Sequence, residues 1–180
     1  MTRGSDVLLL RDIAFADAAA LLARYGLRLH AVDDGAAIPG SYWGDSEAGI
    51  IGVDVHARGD TPVHSMLHEA CHLIVLPDDR RQAVHTDATD SVAEEDAVCL
   101  LQALLGDALP GVGRERVFAD MDAWGYTFRL GSARAYFEHD ADAAWEWLQA
   151  RGLVDARRGL RIPGATKNLA PMGLAHAAPP

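Results

Sequence analysis

Cysteine is scarce in this 180-residue chain, with Cys71 and Cys99 the only two. Their spacing makes no zinc-knuckle pattern and no export signal accompanies them, so two reduced, buried thiols are expected rather than a disulfide framework. Long apolar runs are missing as well. None approaches the roughly 20 residues a membrane span needs. The opening MTRGSDVLLLRDIAF has one short apolar burst, broken by Arg11 and Asp12, with no small-residue cleavage site behind it. Neither a membrane partner nor a signal peptide is expected, and the expected compartment is the cytoplasm. Basic charge is also in short supply: 16 Lys and Arg stand against 26 Asp and Glu, a formal net charge of −10. That balance argues against nucleic acid as the main partner, because phosphate binding needs a basic patch.

What remains is an ordinary globular composition, 49% hydrophobic and 23% charged. The length suits one domain with a proper core and is short for two. One domain over residues 1–162 is expected, followed by a disordered Pro-, Ala- and Gly-rich tail over 163–180.

Periodicity and punctuation suggest the elements. An Ala/Leu-rich helix covers Phe15 to Tyr25 and ends at Gly26, and LRLHAV reads as a strand. The segment DDGAAIPGSYWGDSEAG has loop composition, with Tyr42 and Trp43 as its large side chains. GIIGVDVHA, Gly49 to Ala57, is a β-rich run. Asp60-Thr61-Pro62 then starts a helix, with Pro at the first helical position, running to about Leu76 before Pro77. A second helix runs from about Ser91 to Leu105, and Arg114 to Leu153 is mostly helical. The late LRIP reads as a last strand.

The stretch HSMLHEACH places His64, His68 and His72 on one stripe of the first of these two helices. Each lies about 40° and 6 Å beyond the last, so His64 and His72 are about 12 Å apart along the axis. One ion with Zn–N distances of about 2.0–2.1 Å cannot take all three. Glu69 selects the pair: His68 and His72 with Glu69 spell H-E-x-x-H, two imidazoles one turn apart with a carboxylate placed to act as general base on water. Val63, Met66, Leu67, Ala70, Leu73 and Ile74 gather opposite, so the helix is expected to be buried on its back and open towards a cleft.

Catalytic zinc sites keep three protein ligands. In VAEEDAVCLLQALLG, Glu94 shares its helical face with Ala97, Val98, Leu101, Leu104 and Leu105, while Glu95 lies with Cys99 and Gln102. A carboxylate on an apolar face is costly unless paired or metal-bound. Glu94 is therefore the expected third ligand, and His64 is expected either to support the ligands from behind or to stand in the cleft wall, within reach of substrate.

At these residues the chain resembles the zincin class of metallopeptidases, in the gluzincin form whose third ligand is glutamate. From Phe15 to Gly106 the layout is similar to the small ImmA/IrrE-type zinc peptidases of bacteria. The resemblance implies an α+β, zincin-like fold: a small sheet over the H-E-x-x-H helix, a second ligand-bearing helix and a mostly helical C-terminal part. It implies Zn²⁺ on His68, His72 and Glu94, Glu69 as the catalytic base, and a peptide or protein substrate. HEACHLIVLPDDRR is also similar to a segment of the bacterial elongation factor P hydroxylases. That resemblance implies Fe²⁺ on the same ligands, used with oxygen to hydroxylate a protein. The ligand set leaves both open. So does a third reading, a non-catalytic regulatory module whose metal is structural.

A hydrolytic site of this kind adds a His, Tyr or Arg to stabilise an oxyanion. Tyr126, Arg129, Arg134, Tyr136 and His139 are candidates, and their spacing selects none; ordinary packing or ion pairing is the expected role of any one of them. Polar loop composition accounts for His85 beside Asp87 without a second metal. Tyr42 and Trp43 are expected to anchor their loop on the core, with the lining of a substrate groove as the alternative.

Overall fold

The computed structural model describes residues 6–88 and 91–164. Ala18, Leu21 and Leu22 recur at helical spacing and form the buried side of α1 (Phe15–Ala23). The chain then turns into β1 (Arg28–Val32). The β-rich run expected over Gly49 to Ala57 is a hairpin: β2 (Gly49–Ile51) and β3 (Asp54–Arg58) joined by a two-residue turn at Gly52 and Val53. The three strands form one sheet in the order β1-β3-β2. β1 runs parallel to β3, from Arg28 opposite Asp54 to Val32 opposite Arg58, and β2 runs antiparallel to it.

Two glycines set the loop before β2. Gly40 has φ 72°, and a side chain there would strike the Ile50 carbonyl, while one at Gly49 would strike the backbone of Pro39 and Ser41. The loop therefore lies directly along β2, with Ile50 N–H donating to Gly40 O at 3.2 Å. On the helical side, Ala48 N–H donates to the buried Ser65 hydroxyl at 3.1 Å. Residues 42–47 are held between these two fixed points.

Seven α-helices lie among the described residues, and with the small sheet they make a mixed α/β chain of the expected α+β kind. α2 (Val63–Val75) packs on β2 and β3 on one side and on α4 (Val92–Gly106) on another. The short α3 (Asp78–Arg81), which the sequence did not suggest, lies between them. α4 also packs against α5 (Arg114–Trp124) and α7 (Asp142–Ala150), and α5 packs against α6 (Ala133–His139). This makes α4 the central helix, buried at every residue from Ala97 to Gly106. Buried apolar side chains from Leu10 to Val154 join in one cluster around it.

Pro62 is the N-cap of α2 rather than its first helical residue. The late strand reduces to an isolated bridge between Val154 and Leu160. The expected tail falls almost wholly outside the described residues. Among those described, no helix is long and apolar enough to cross a membrane.

Candidate metal centre

The long contact between α2 and α4 builds the site. His68 and His72 sit one turn apart on α2 with their Nε2 atoms 3.1 Å from each other. Glu95 reaches across from α4: Oε1 lies 3.3 Å from His68 Nε2, and Oε2 3.5 Å from His72 Nε2. Two imidazoles and a carboxylate thus face one point, and theirs is the one such group of ligand atoms among the described residues. Neither Cys99 nor the His85/Asp87 pair belongs to it.

The carboxylate brought to the histidines is Glu95, where the sequence suggested Glu94. Adjacent helical residues are about 100° apart, so only one of the two can face α2. The face that does so is Glu95, Cys99 and Gln102, one helical stripe. Gln102 is fully buried and its Oε1 accepts from His68 Nδ1 at 2.6 Å; Cys99 Sγ lies 3.8 Å from Glu95 Oε1. The apolar-face argument fails because α4 is buried all round from Ala97 onward, so the apolar residues there do not single out one face. Glu94 is buried too, at the third helical position of α4, where its backbone N–H donates to the Ser91 hydroxyl at 3.2 Å. The Ser91-Val92-Ala93-Glu94 sequence is the S-x-x-E pattern of a helix start, and that signal pointed Glu94 to the cap. The other legible signal was Gln102, a polar side chain in the middle of an apolar helix that needed a buried partner.

The electrostatics suit a single bound cation. Burial alone would raise the Glu95 carboxyl, but the hydrogen bond and charge of His68, with the charge of His72, hold it down at about 2. Burial and the neighbouring His68 push His72 down to about 3. For His68, burial is outweighed by Tyr126, Cys99 and Glu95, which raise it well above the ordinary range. Two imidazoles this close share one positive charge between them. The Gln102 hydrogen bond to His68 Nδ1 fixes the ring so that Nε2 points to Glu95 and His72, the support that metal-binding histidines commonly have. The donor set and its orientation therefore fit a divalent ion.

α2 is more enclosed than its amphipathic pattern suggests. Apart from His68 and Glu69, every residue from Val63 to Val75 is buried, so solvent reaches the helix only at these two. Both line a cavity of about 250 Å³ together with Trp43, Glu47, His64, Ser65, Trp124 and Tyr126. Burial pushes Glu69 up to about 7; the charge of His68 opposes this, and Glu47, Glu95 and Asp87 add to it. His64 is 1% exposed, packed edge-on against Trp124 and Tyr126, and neither ring nitrogen has a hydrogen-bond partner. Its place is one of the two expected, in the cavity wall and outside the ligand group.

Of the five oxyanion candidates, one reaches this cavity. The Tyr126 ring lies 6.0 Å from the His68 ring, and burial raises its phenol to about 12. Arg129 pairs with Asp140, Arg134 with Glu115, and His139 lies exposed beside Glu138. Tyr136 and Arg129 line a second cavity, of about 560 Å³, whose wall also includes Glu95, Cys99 and Tyr126. Tyr42 and Trp43 do not anchor their loop: they are 61% and 75% exposed, and Trp43 overhangs the site.

Nothing matches this chain among family models, curated proteins or solved structures.

Proposed function

We propose that the chain is a metal-dependent hydrolase of peptide bonds, of zincin-like architecture, with Zn²⁺ held by His68, His72 and Glu95. The observation that carries this is the triad's geometry beside Glu69. His68 Nε2 and His72 Nε2 are 3.1 Å apart and each has a Glu95 oxygen within 3.5 Å, close enough for one small ion to be held by all three residues, and the H-E-x-x-H pattern that adds Glu69 is the reason for preferring zinc hydrolysis to the iron of a hydroxylase.

Zinc bound there supplies Lewis acidity, polarising the scissile carbonyl and making water acidic enough to give up a proton near neutral pH. The chain supplies the rest. Glu69, adjoining His68 in sequence and lining the same cavity, takes that proton and passes it to the departing amine. Tyr126 stays protonated and donates to the carbonyl oxygen as negative charge grows on it. Gln102 holds His68 in register. The enclosing helices keep bulk water from all but one side, which strengthens each of these interactions.

Elemental analysis of protein purified without added metal tests the reading. One zinc per chain is expected, lost in His68→Ala and Glu95→Ala and kept in Glu94→Ala. One iron per chain with oxygen uptake would replace it with the hydroxylase reading.

A further inference from the structure

We infer that His64 is a substrate-binding residue, which holds the main chain of the peptide about two residues from the bond that is cut. The inference deepens the peptidase reading above and rests on it.

As a core residue His64 is a poor choice. It is 1% exposed, and among the described residues neither of its ring nitrogens has a hydrogen-bond partner. Burying a polar group in that way is unfavourable, and an apolar ring would fill the place without leaving a donor and an acceptor unmatched. The packing itself asks only for a ring: His64 meets Trp124 and Tyr126 edge-on, at centroid distances of 5.3 and 5.7 Å. The two nitrogens therefore serve something other than the fold. A second metal is not it, because among the described residues His64 belongs to no group of three ligand atoms close enough to hold one.

Its position selects the occupant. His64 lines the 250 Å³ cavity together with His68 and Glu69, a space several times the roughly 30 Å³ of one water. It precedes His68 by one turn of α2, about 6 Å along the axis. An extended peptide advances about 3.3–3.6 Å per residue, so a chain whose scissile carbonyl meets the metal passes His64 about two residues away. An uncharged imidazole has one donor and one acceptor, which match the C=O and N–H of a main chain whatever side chains it carries. Tyr126 packs against the rings of both His64 and His68, so the anchor and the reacting end share one wall. Trp43, 75% exposed, is the part of the cavity wall that gives way as the chain enters.

The test is calorimetric titration of the full chain carrying zinc with three hydroxamates, whose metal-binding head stands where the scissile carbonyl would. Acetohydroxamate has no tail, acetyl-Gly-Gly hydroxamate extends towards the N-terminal side, and malonyl hydroxamate joined to Gly-Gly-amide extends towards the C-terminal side. Glycine tails carry no side chains, so a gain in affinity comes from the main chain. One of the two tailed probes should bind about threefold to tenfold tighter than acetohydroxamate. His64→Phe should remove that gain with a melting temperature equal to or above wild type, and His64→Gln, which restores a donor and an acceptor, should keep part of it. Where His64→Phe alone melts lower, His64→Leu is read in its place. Three equal affinities, a gain that survives loss of the imidazole, or a lower melting temperature in both His64→Phe and His64→Leu would each overturn the inference. Binding of none of the three would overturn the metal reading with it. Casein digests followed by mass spectrometry keep the two proposals apart: a gain lost in His64→Phe without cleavage keeps the main-chain site and sinks the peptidase reading, and cleavage without the gain does the reverse.

Discussion

α2 and α4 are of similar length, are both nearly enclosed, and lie against each other, yet they are held in different ways. α4 begins with Ser91, whose hydroxyl accepts the Glu94 N–H, and its first turn carries two acids that suit the helix dipole. α2 has no side-chain cap and no acid in its first turn. Its start is tied by tertiary contacts instead: Val63 N–H donates to Leu8 O at 2.9 Å, and Leu10 N–H to Thr61 O at 2.8 Å. The division suits the chemistry. α2 carries both histidines, which are weaker helix formers, and Glu69; all three are costly to bury, and the helix depends on its neighbours. α4 is locally self-sufficient and offers a stripe of three polar side chains to receive them.

The comparison can be broken at several points, from the largest effect to the smallest. Glu69→Gln removes the proposed base from α2 without touching a proposed ligand. Turnover should fall about 10²- to 10⁴-fold with metal content unchanged; loss of the metal instead would make Glu69 a ligand or a support for one. Gln102→Ala acts from α4 through the His68 ring. Zinc affinity, measured by competition with a chelator, should drop about 10- to 100-fold, and an unchanged affinity would mean α2 positions His68 alone. Ser91→Ala removes the cap of α4. It should cost about 1 kcal/mol in denaturant unfolding with little change in zinc affinity, and a larger effect on zinc than on stability would contradict the self-sufficiency of α4.

The smallest effect serves as a control outside both helices. The hydrogen bond from Arg28, with help from His30, outweighs partial burial and holds Asp54 at about 2, below its usual 3.8. A carboxyl lowered on folding stabilises the fold above its unfolded pKa, and that contribution fades as pH falls from about 4 through about 2. Wild type and Asp54→Asn should therefore differ slightly near neutrality and converge in strong acid; divergence there would reverse the assignment.

Much of α2 was legible because its information is local. One helical turn fixes the spacing of His68 and His72, the pentapeptide places Glu69 between them, and the rise per residue removes His64 from the ligand set. The bounds of α4 were legible for the same reason, from Ser91 at one end and Gly106 at the other. The face of α4 that meets α2 was not. Periodicity finds the buried side of a helix only when the other side meets water, and from Ala97 onward α4 has no such side. Glu94 on the apolar stripe thus looked the better ligand, while the polar stripe of Glu95, Cys99 and Gln102 held the site. Tyr126 was one of five equivalent candidates until packing brought it to His68. Trp43 could be read as anchor or groove wall until the loop was seen lying along β2.

The sequence by itself determined a helix with two histidines one turn apart and a carboxylate between them, part of a group that could hold a metal, because those relations repeat with the geometry of a single helix. Only the tertiary structure decided that Glu95 completes the group, that Gln102 orients His68, and that a cavity walled by Trp43 and Trp124 opens beside them. Those depend on how one enclosed helix is rotated against another and where a loop comes to rest, and no period within a single segment encodes either.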